Sequence, residues 1–466
     1  MPLPVGVMSN VKPSIVERLA ALIKQIDERP LTAEEEQAAR LCLLDALGVG
    51  LYGSTQPEAK MFLEAVKGLG SGEVPVWGTN ERLEAGSAAL VCGSLCHLRE
   101  LDDVHYAILH TGCVCVPAVM AAAQLENASL GQMLRAVVNG VEATARISLG
   151  MDYMEHRERG WHGTATCGAF GAAAAVGYLL GLDEKQLTDA VAIAGSRTGG
   201  TWAFSKDGAM TKRLHPGLAA RDGLSAAYLA RAGVSGPHYV LEAEDGGFYR
   251  LFSPSWDEES VLSPRERLEV NNIEFKWFAS CKSVHSPITA AMEIYQSNPG
   301  RQPDDISRIT AEVNSSAMSM AGHMYREDSV VSAQISIPYG IALGLTGRQG
   351  QADDYTFERL ADKQLRSLSE KTEVVVTEEF NELRRTKHLS GSRVTVYWKD
   401  GTASSAVATS PKGSLGNPLL PDDVMNKFLS LSGKAIGSER AETLLAVIMK
   451  GGAATPVSEI LKLLVA

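Results

Sequence analysis

The chain has 466 residues, 45% of them hydrophobic, and a formal net charge of −11. That length sets two or three domains with a large buried core. The acidic balance excludes nucleic acid as a partner, because phosphate binding needs a basic face; a small anion stays compatible if its site is locally basic.

Met1 to Asn10 has no basic segment followed by an apolar stretch, so no signal peptide is expected. Helix then follows helix. Ser14–Ile26 places Ile15, Leu19, Leu22 and Ile23 at helical spacing. Thr32 with Glu35 forms a capping box ahead of Ala38–Leu51, and Pro57 opens Glu58–Leu69. Leu83–Leu98, Pro117–Leu125, Gly131–Leu149, Thr166–Leu180, Glu184–Ala194 and Leu218–Ala232 are Ala-rich and apolar on at least one side. Gly163–Leu182 is uncharged over a membrane-spanning length, but its Gly, Ala and Thr content reads as a buried core helix.

Near residue 270 the pattern changes. Arg308–Val313 alternates as a strand does, and Glu373–Thr377 is β-branched. Ser392–Trp398 and Thr402–Thr409 flank Lys399-Asp400-Gly401 as a hairpin, with helical runs at Ile288–Tyr295 and Ala333–Leu345. After Pro411-Lys412-Gly413 the helices return at Asp422–Leu431, Ser438–Met449 and Val457–Leu464. The reading is a mainly α fold: a large all-helical domain (1–269 and 410–466) with a smaller α+β lid domain inserted at 270–409. The cleft between them is the expected binding site.

The seven cysteines, odd in number and mostly in apolar helical surroundings, fit a reducing cytosol and a cytoplasmic protein. Cys92/Cys96 and Cys113/Cys115 lack a partner His or Cys group at ligand spacing, so no metal site is expected.

Four stretches carry titratable groups. Glu100-Leu101-Asp102-Asp103-Val104-His105 with His110-Thr111-Gly112 offers a histidine base oriented by a carboxylate at a helix start, or simply a solvated capping loop. Trp161-His162-Gly163 sets a histidine at the mouth of a small-residue helix, where backbone N–H groups attract anions; it reads equally as a core histidine. Lys206 to Gly217 crowds Lys212, Arg213 and His215 at a helix taken to open after Pro216. There the charges repel one another and the dipole unless a substrate carboxylate relieves them, or solvent screens them in a loop. Lys276-Trp277-Phe278-Ala279-Ser280-Cys281-Lys282-Ser283-Val284-His285 lies where the domains join, as a site or as a hinge with an ordinary buried cysteine.

In this order and spacing the stretches resemble the MmgE/PrpD family, over almost the whole chain. Asp-Asp … His-x-Gly, Gly-x-His, Lys-x-Leu-His-Pro-Gly, Lys-x-aromatic-x-x-Cys-x-x-x-His, Ser235-Gly236-Pro237 and Pro411-Lys412-Gly413 carry the likeness. The resemblance implies homodimers, no cofactor, and proton transfer on a small di- or tricarboxylate. Carried over residue by residue, it implies catalysis by His110, His162, Lys212, Lys276 and Cys281, with Asp102, Asp103, Lys282, His285 and Tyr325 binding substrate. The chain departs from the family pattern at Thr111, where the family has Pro, at Trp161, where it has Phe, and at Cys281, where cis-aconitate decarboxylases have His. Length and motif details look closest to iminodisuccinate epimerase. The alternatives are a 2-methylcitrate or citrate dehydratase, a cis-aconitate decarboxylase and a non-catalytic carboxylate-binding scaffold.

Overall fold

The computed structural model describes residues 12–465; the leader expectation for Met1–Asn10 lies outside them. Ser14 and Thr32 each close a capping box, starting helices Ile15–Asp27 and Ala33–Ser54. Pro57 is the first residue of Pro57–Lys67. The helices Ala85–Cys96, Gly112–Glu126, Leu130–Leu149, Gly163–Leu179, Glu184–Gly195 and Thr211–Arg231 complete the helical body. Gly163–Leu179 lies at its centre, buried from Gly163 to Gly177 against Leu130–Leu149 and Thr211–Arg231. Its small residues let the neighbouring backbones approach: a Cβ on Gly171 would fall 2.5 Å from the Gly140 carbonyl. Among the described residues, no helix is long and apolar enough to cross a membrane.

The second unit is a four-stranded sheet in the order Thr372–Val376, Ile306–Val313, Ser392–Trp398, Ala403–Ala408. The first pair is parallel and the others antiparallel, with Val394 opposite Ala406 in the hairpin. Gly401 takes φ 87° in the hairpin turn, the left-handed conformation that the Asp-Gly pair supplies. Along Ser392–Trp398 every second side chain is buried, and helix Lys282–Ser297 covers this face of the hairpin. The expected Ala333–Leu345 helix is broken in two, because Ser336 caps a new helix, Ile337–Leu345.

The chain then returns to the body. Helix Pro421–Ile436 packs along Ala33–Ser54, where Phe428 occupies the space above Gly48. Lys427 Nζ lies 2.7 Å from Asp45 and also reaches the Leu101 carbonyl. The fold is thus mainly α with a smaller α+β region, and a cleft separates the two.

Candidate active site

Four helices begin at this cleft. Thr111, His162, Met210 and Cys281 are the residues before Gly112–Glu126, Gly163–Leu179, Thr211–Arg231 and Lys282–Ser297, and none uses its own side chain as a cap. Helices that start elsewhere have Ser14, Thr32, Ser129 or Asp183 closing capping boxes. Unsatisfied N–H groups and the positive ends of helix dipoles favour an anion where they converge; at Gly112–Glu126 the Asp103 carboxylate already takes that place. The helix expected to open after Pro216 in fact starts at Thr211, so Lys212 and Arg213 sit in its first turn, buried.

The cleft has an empty volume of about 890 Å³, including the solvent at its mouth, and its walls include His110, His162, Lys212, Lys276, Cys281 and Lys282. All five expected catalytic residues therefore share one cavity.

The histidines are held from behind by carboxylates. Asp102 lies 2.8 Å from His97 Nδ1 and 3.2 Å from His110 Nδ1, while the Asp103 carbonyl is 2.5 Å from His110 Nδ1. A carbonyl only accepts, so His110 carries its proton on Nδ1 and leaves Nε2 as the basic nitrogen. Asp103 accepts from the N–H groups of Thr111 and Gly112 and from the Thr111 hydroxyl. It is a buried cap for the helix behind the site. Asp102 and Asp103 thus lie behind the cleft wall rather than in it.

His162 Nδ1 lies 2.9 Å from His215 Nδ1, and its ring packs edge-on against Trp202. Burial first, then His215 and Lys212, drive the His162 pKa well below the ordinary histidine value. It therefore stands unprotonated in the free protein.

Glu100 was quoted in the first stretch but not carried into the expected site, and it proves to be the electrostatic hub. It is 1% exposed, takes φ 54°, and accepts from Lys212, Arg213 and Lys276, the last at 3.1 Å. The relief that the sequence reading assigned to a substrate carboxylate is thus supplied by the protein itself. The three cations hold Glu100 well below the usual carboxylate range against the opposing effect of burial. Burial lowers Lys212, whereas Glu100 and Asp102 outweigh burial to raise Lys276. Lys282 Nζ is 2.5 Å from both Glu274 and the Gly413 carbonyl, which ties it to the Pro411-Lys412-Gly413 stretch.

Two expected binding residues stand apart from the cleft. Tyr325 donates to the Leu360 carbonyl at 2.9 Å and packs on Tyr339 inside the α+β unit. His285 points its Nε2 at the Ser280 carbonyl, 3.2 Å away, and packs edge-on against Phe278. Sequence reasoning missed His97, which lay inside the Ala-rich run Leu83–Leu98 and was not singled out. Its position five residues before Asp102 was the available signal.

The ring nitrogens of His97, His110 and His162 lie within 4.8 Å of one another, a spacing that three ligands of one divalent cation would show. Lys212, close enough to depress the His162 pKa, would oppose a second cation there, so the donor set does not fit a resident metal well.

Neutral buried histidines also make stability pH-dependent. His156 is 1% exposed, bonded to the Phe252 carbonyl and the Thr166 hydroxyl at 2.9 Å each, and burial pushes its pKa down to about 4. Between pH 6.5 and 4 the unfolded chain binds a proton there that the folded chain does not. Stability from this group is therefore present above the unfolded value and is lost as pH falls, by up to about 3 kcal/mol. His156→Gln should flatten the dependence of the thermal midpoint on pH across this window; an unchanged slope would show that His156 does not carry the effect.

The fold and cleft together define a mainly helical protein with an anion-receptive site lined by acid–base groups. The chain belongs to the MmgE/PrpD family: residues 17–259 match the MmgE/PrpD N-terminal domain and residues 278–450 the C-terminal domain. It is 30% identical to the cis-aconitate decarboxylase-like protein oryM of Aspergillus oryzae, over 98% of each chain. It is 26% identical to the cis-aconitate decarboxylase of Mus musculus, over 94% of this chain and 90% of that one. It is 22% identical to the 2-methylcitrate dehydratase of Salmonella typhimurium, over 84% of this chain and 85% of that one. These relatives bear the names of lyases, and the expectation of iminodisuccinate epimerisation finds no support among them.

Proposed function

We propose that the protein is a lyase acting on a small polycarboxylate, and that its reaction is decarboxylation of cis-aconitate or a close analogue. One observation carries this reading: two buried lysines and the uncapped N-termini of three helices share a single cleft with His110 and His162. Similarity to decarboxylases, higher in identity and coverage than to the 2-methylcitrate dehydratase, supports the choice of reaction.

In such a reaction the bond to one carboxylate breaks and CO2 departs. The electron pair stays on the carbon skeleton, shifts through the neighbouring double bond, and settles beside a second carboxylate, where a proton is added. The lysines and N–H groups lie where that negative charge would grow. Cys281, at the start of Lys282–Ser297, lines the same wall; as a departure from the decarboxylase pattern it counts against this reaction, and the full-length similarity outweighs it. His162 is neutral in the free protein, and a bound polyanion favours its protonated form, so it takes up a proton as substrate binds and delivers it to the carbanion.

The neutrality of His162 favours a second reading, a hydro-lyase in which it removes a proton next to a carboxylate while hydroxide leaves from the adjacent carbon. One panel separates the classes: purified protein with cis-aconitate, 2-methylcitrate or iminodisuccinate, each in D2O. The decarboxylase reading expects CO2 from cis-aconitate and deuterium in the product. Water loss from 2-methylcitrate without CO2 would move the assignment to the hydro-lyase. Deuterium exchange on iminodisuccinate alone would return it to an epimerase.

A further inference from the structure

Four cations line the cleft, and three of them already have a carboxylate partner within the protein. Lys212 and Lys276 share Glu100, and Lys282 has Glu274. The fourth is Arg384, on helix Glu378–Lys387 of the α+β unit, and among the described residues no carboxylate pairs with it. Its neighbours are not left this way: Arg385 has Glu378 and Glu382, and Arg393 has Glu312 and Glu379. Arg384 reaches only the His388 carbonyl, at 2.7 Å, and the Met154 sulfur, at 3.9 Å. Most of its five N–H donors are therefore free.

Its position is equally specific. Arg384, His388 and Ser316 line both the reaction cleft and an adjoining cavity walled by Tyr153, Met154 and Asn381. They stand at the divide between the two. Burial lowers the Arg384 pKa against the weaker opposing pull of Tyr153 and Glu274, so the guanidinium has given up part of its hydration without gaining a contact ion pair. A planar fork that is partly desolvated and unpaired suits a bidentate carboxylate.

We propose that Arg384 is a specificity-determining residue that holds the carboxylate farthest from the histidines and so selects tricarboxylates over dicarboxylates. This rests on the reading of the cleft as a polycarboxylate site. The inner cations, tethered to Glu100, serve the carboxylates next to the reacting carbons. A dicarboxylate fills those positions and leaves the guanidinium empty.

The test is equilibrium binding by calorimetry, with propane-1,2,3-tricarboxylate and succinate as probes, to the wild-type protein and to the Arg384→Ala, Arg384→Gln and Arg384→Lys variants. Arg384→Ala and Arg384→Gln should weaken the tricarboxylate about 10–100-fold and succinate less than about threefold. Arg384→Lys, which keeps the charge and loses the fork, should fall between. Equal weakening of both probes, or no weakening of either, overturns the assignment. Failure of the lyase reading is separate: tight, Arg384-dependent tricarboxylate binding without CO2 release from any acid would sink that reading and leave this one standing. If the wild-type protein binds neither probe, both fall.

Discussion

His162→Ala is expected to lower kcat about 10²–10⁴-fold, the range over which a well-placed acid or base contributes. The geometry singles it out. It is the residue before a helix that has no side-chain cap, it lines the cleft, and among the described residues it lacks a carboxylate partner of its own. His110 is different, since Asp102 and the Asp103 carbonyl fix its tautomer. His162 relies instead on His215, Lys212 and burial to stay unprotonated until an anion arrives. Its loss should therefore move kcat and the acid limb of the pH–rate profile together. His215→Ala, acting only through His162, should shift that limb while costing less in kcat. The measurement is steady-state CO2 release across pH 5–9. A fall of less than tenfold in His162→Ala would remove it from the proton-transfer step.

The same helix starts explain what the sequence disclosed and what it concealed. Ser14, Thr32 and Pro57 mark helix starts by local chemistry, and those helices begin within a residue or a few of where the signals put them. At the cleft the signals are absent. The readings there began at Pro117, Thr166, Leu218 and Ile288, whereas the helices begin at Gly112, Gly163, Thr211 and Lys282. In three of them a proline, Pro117, Pro216 or Pro287, is the sixth residue. Proline is most at home in a first turn, so it draws the expected start toward itself. A local side-chain cap would fill the N–H groups that an anion needs, and at Gly112 the cap comes from Asp103, nine residues back, so these starts lie where local rules give the poorest answer. The hairpin was legible because Asp400-Gly401 permits little else. Glu100 and Arg384 were not, because their roles depend on which distant charges approach them: Lys276 lies 176 residues from Glu100.

Glu100→Gln should produce the largest stability effect of any single substitution in the cleft. The side chain is almost the same size, so no cavity forms; what changes is charge. Lys212, Arg213 and Lys276 would then face one another while buried, with no carboxylate between them. Removing one partner of a buried ion pair costs about 3–5 kcal/mol, and here one carboxylate serves three cations. The protein holds Glu100 at φ 54°, a conformation that costs a non-glycine residue about 1–3 kcal/mol, which fits a position fixed by its carboxylate. The thermal midpoint should fall by several degrees and climb more steeply with pH than in the wild-type protein, because lysines depressed by burial bind fewer protons when folded than when unfolded. Propane-1,2,3-tricarboxylate should then raise the midpoint more in Glu100→Gln than in the wild type, since the ligand brings the missing negative charge to the lysines. Equal midpoints for the two proteins without ligand would show that the cations do not depend on Glu100. A ligand shift confined to the wild type would show that the polycarboxylate does not reach them.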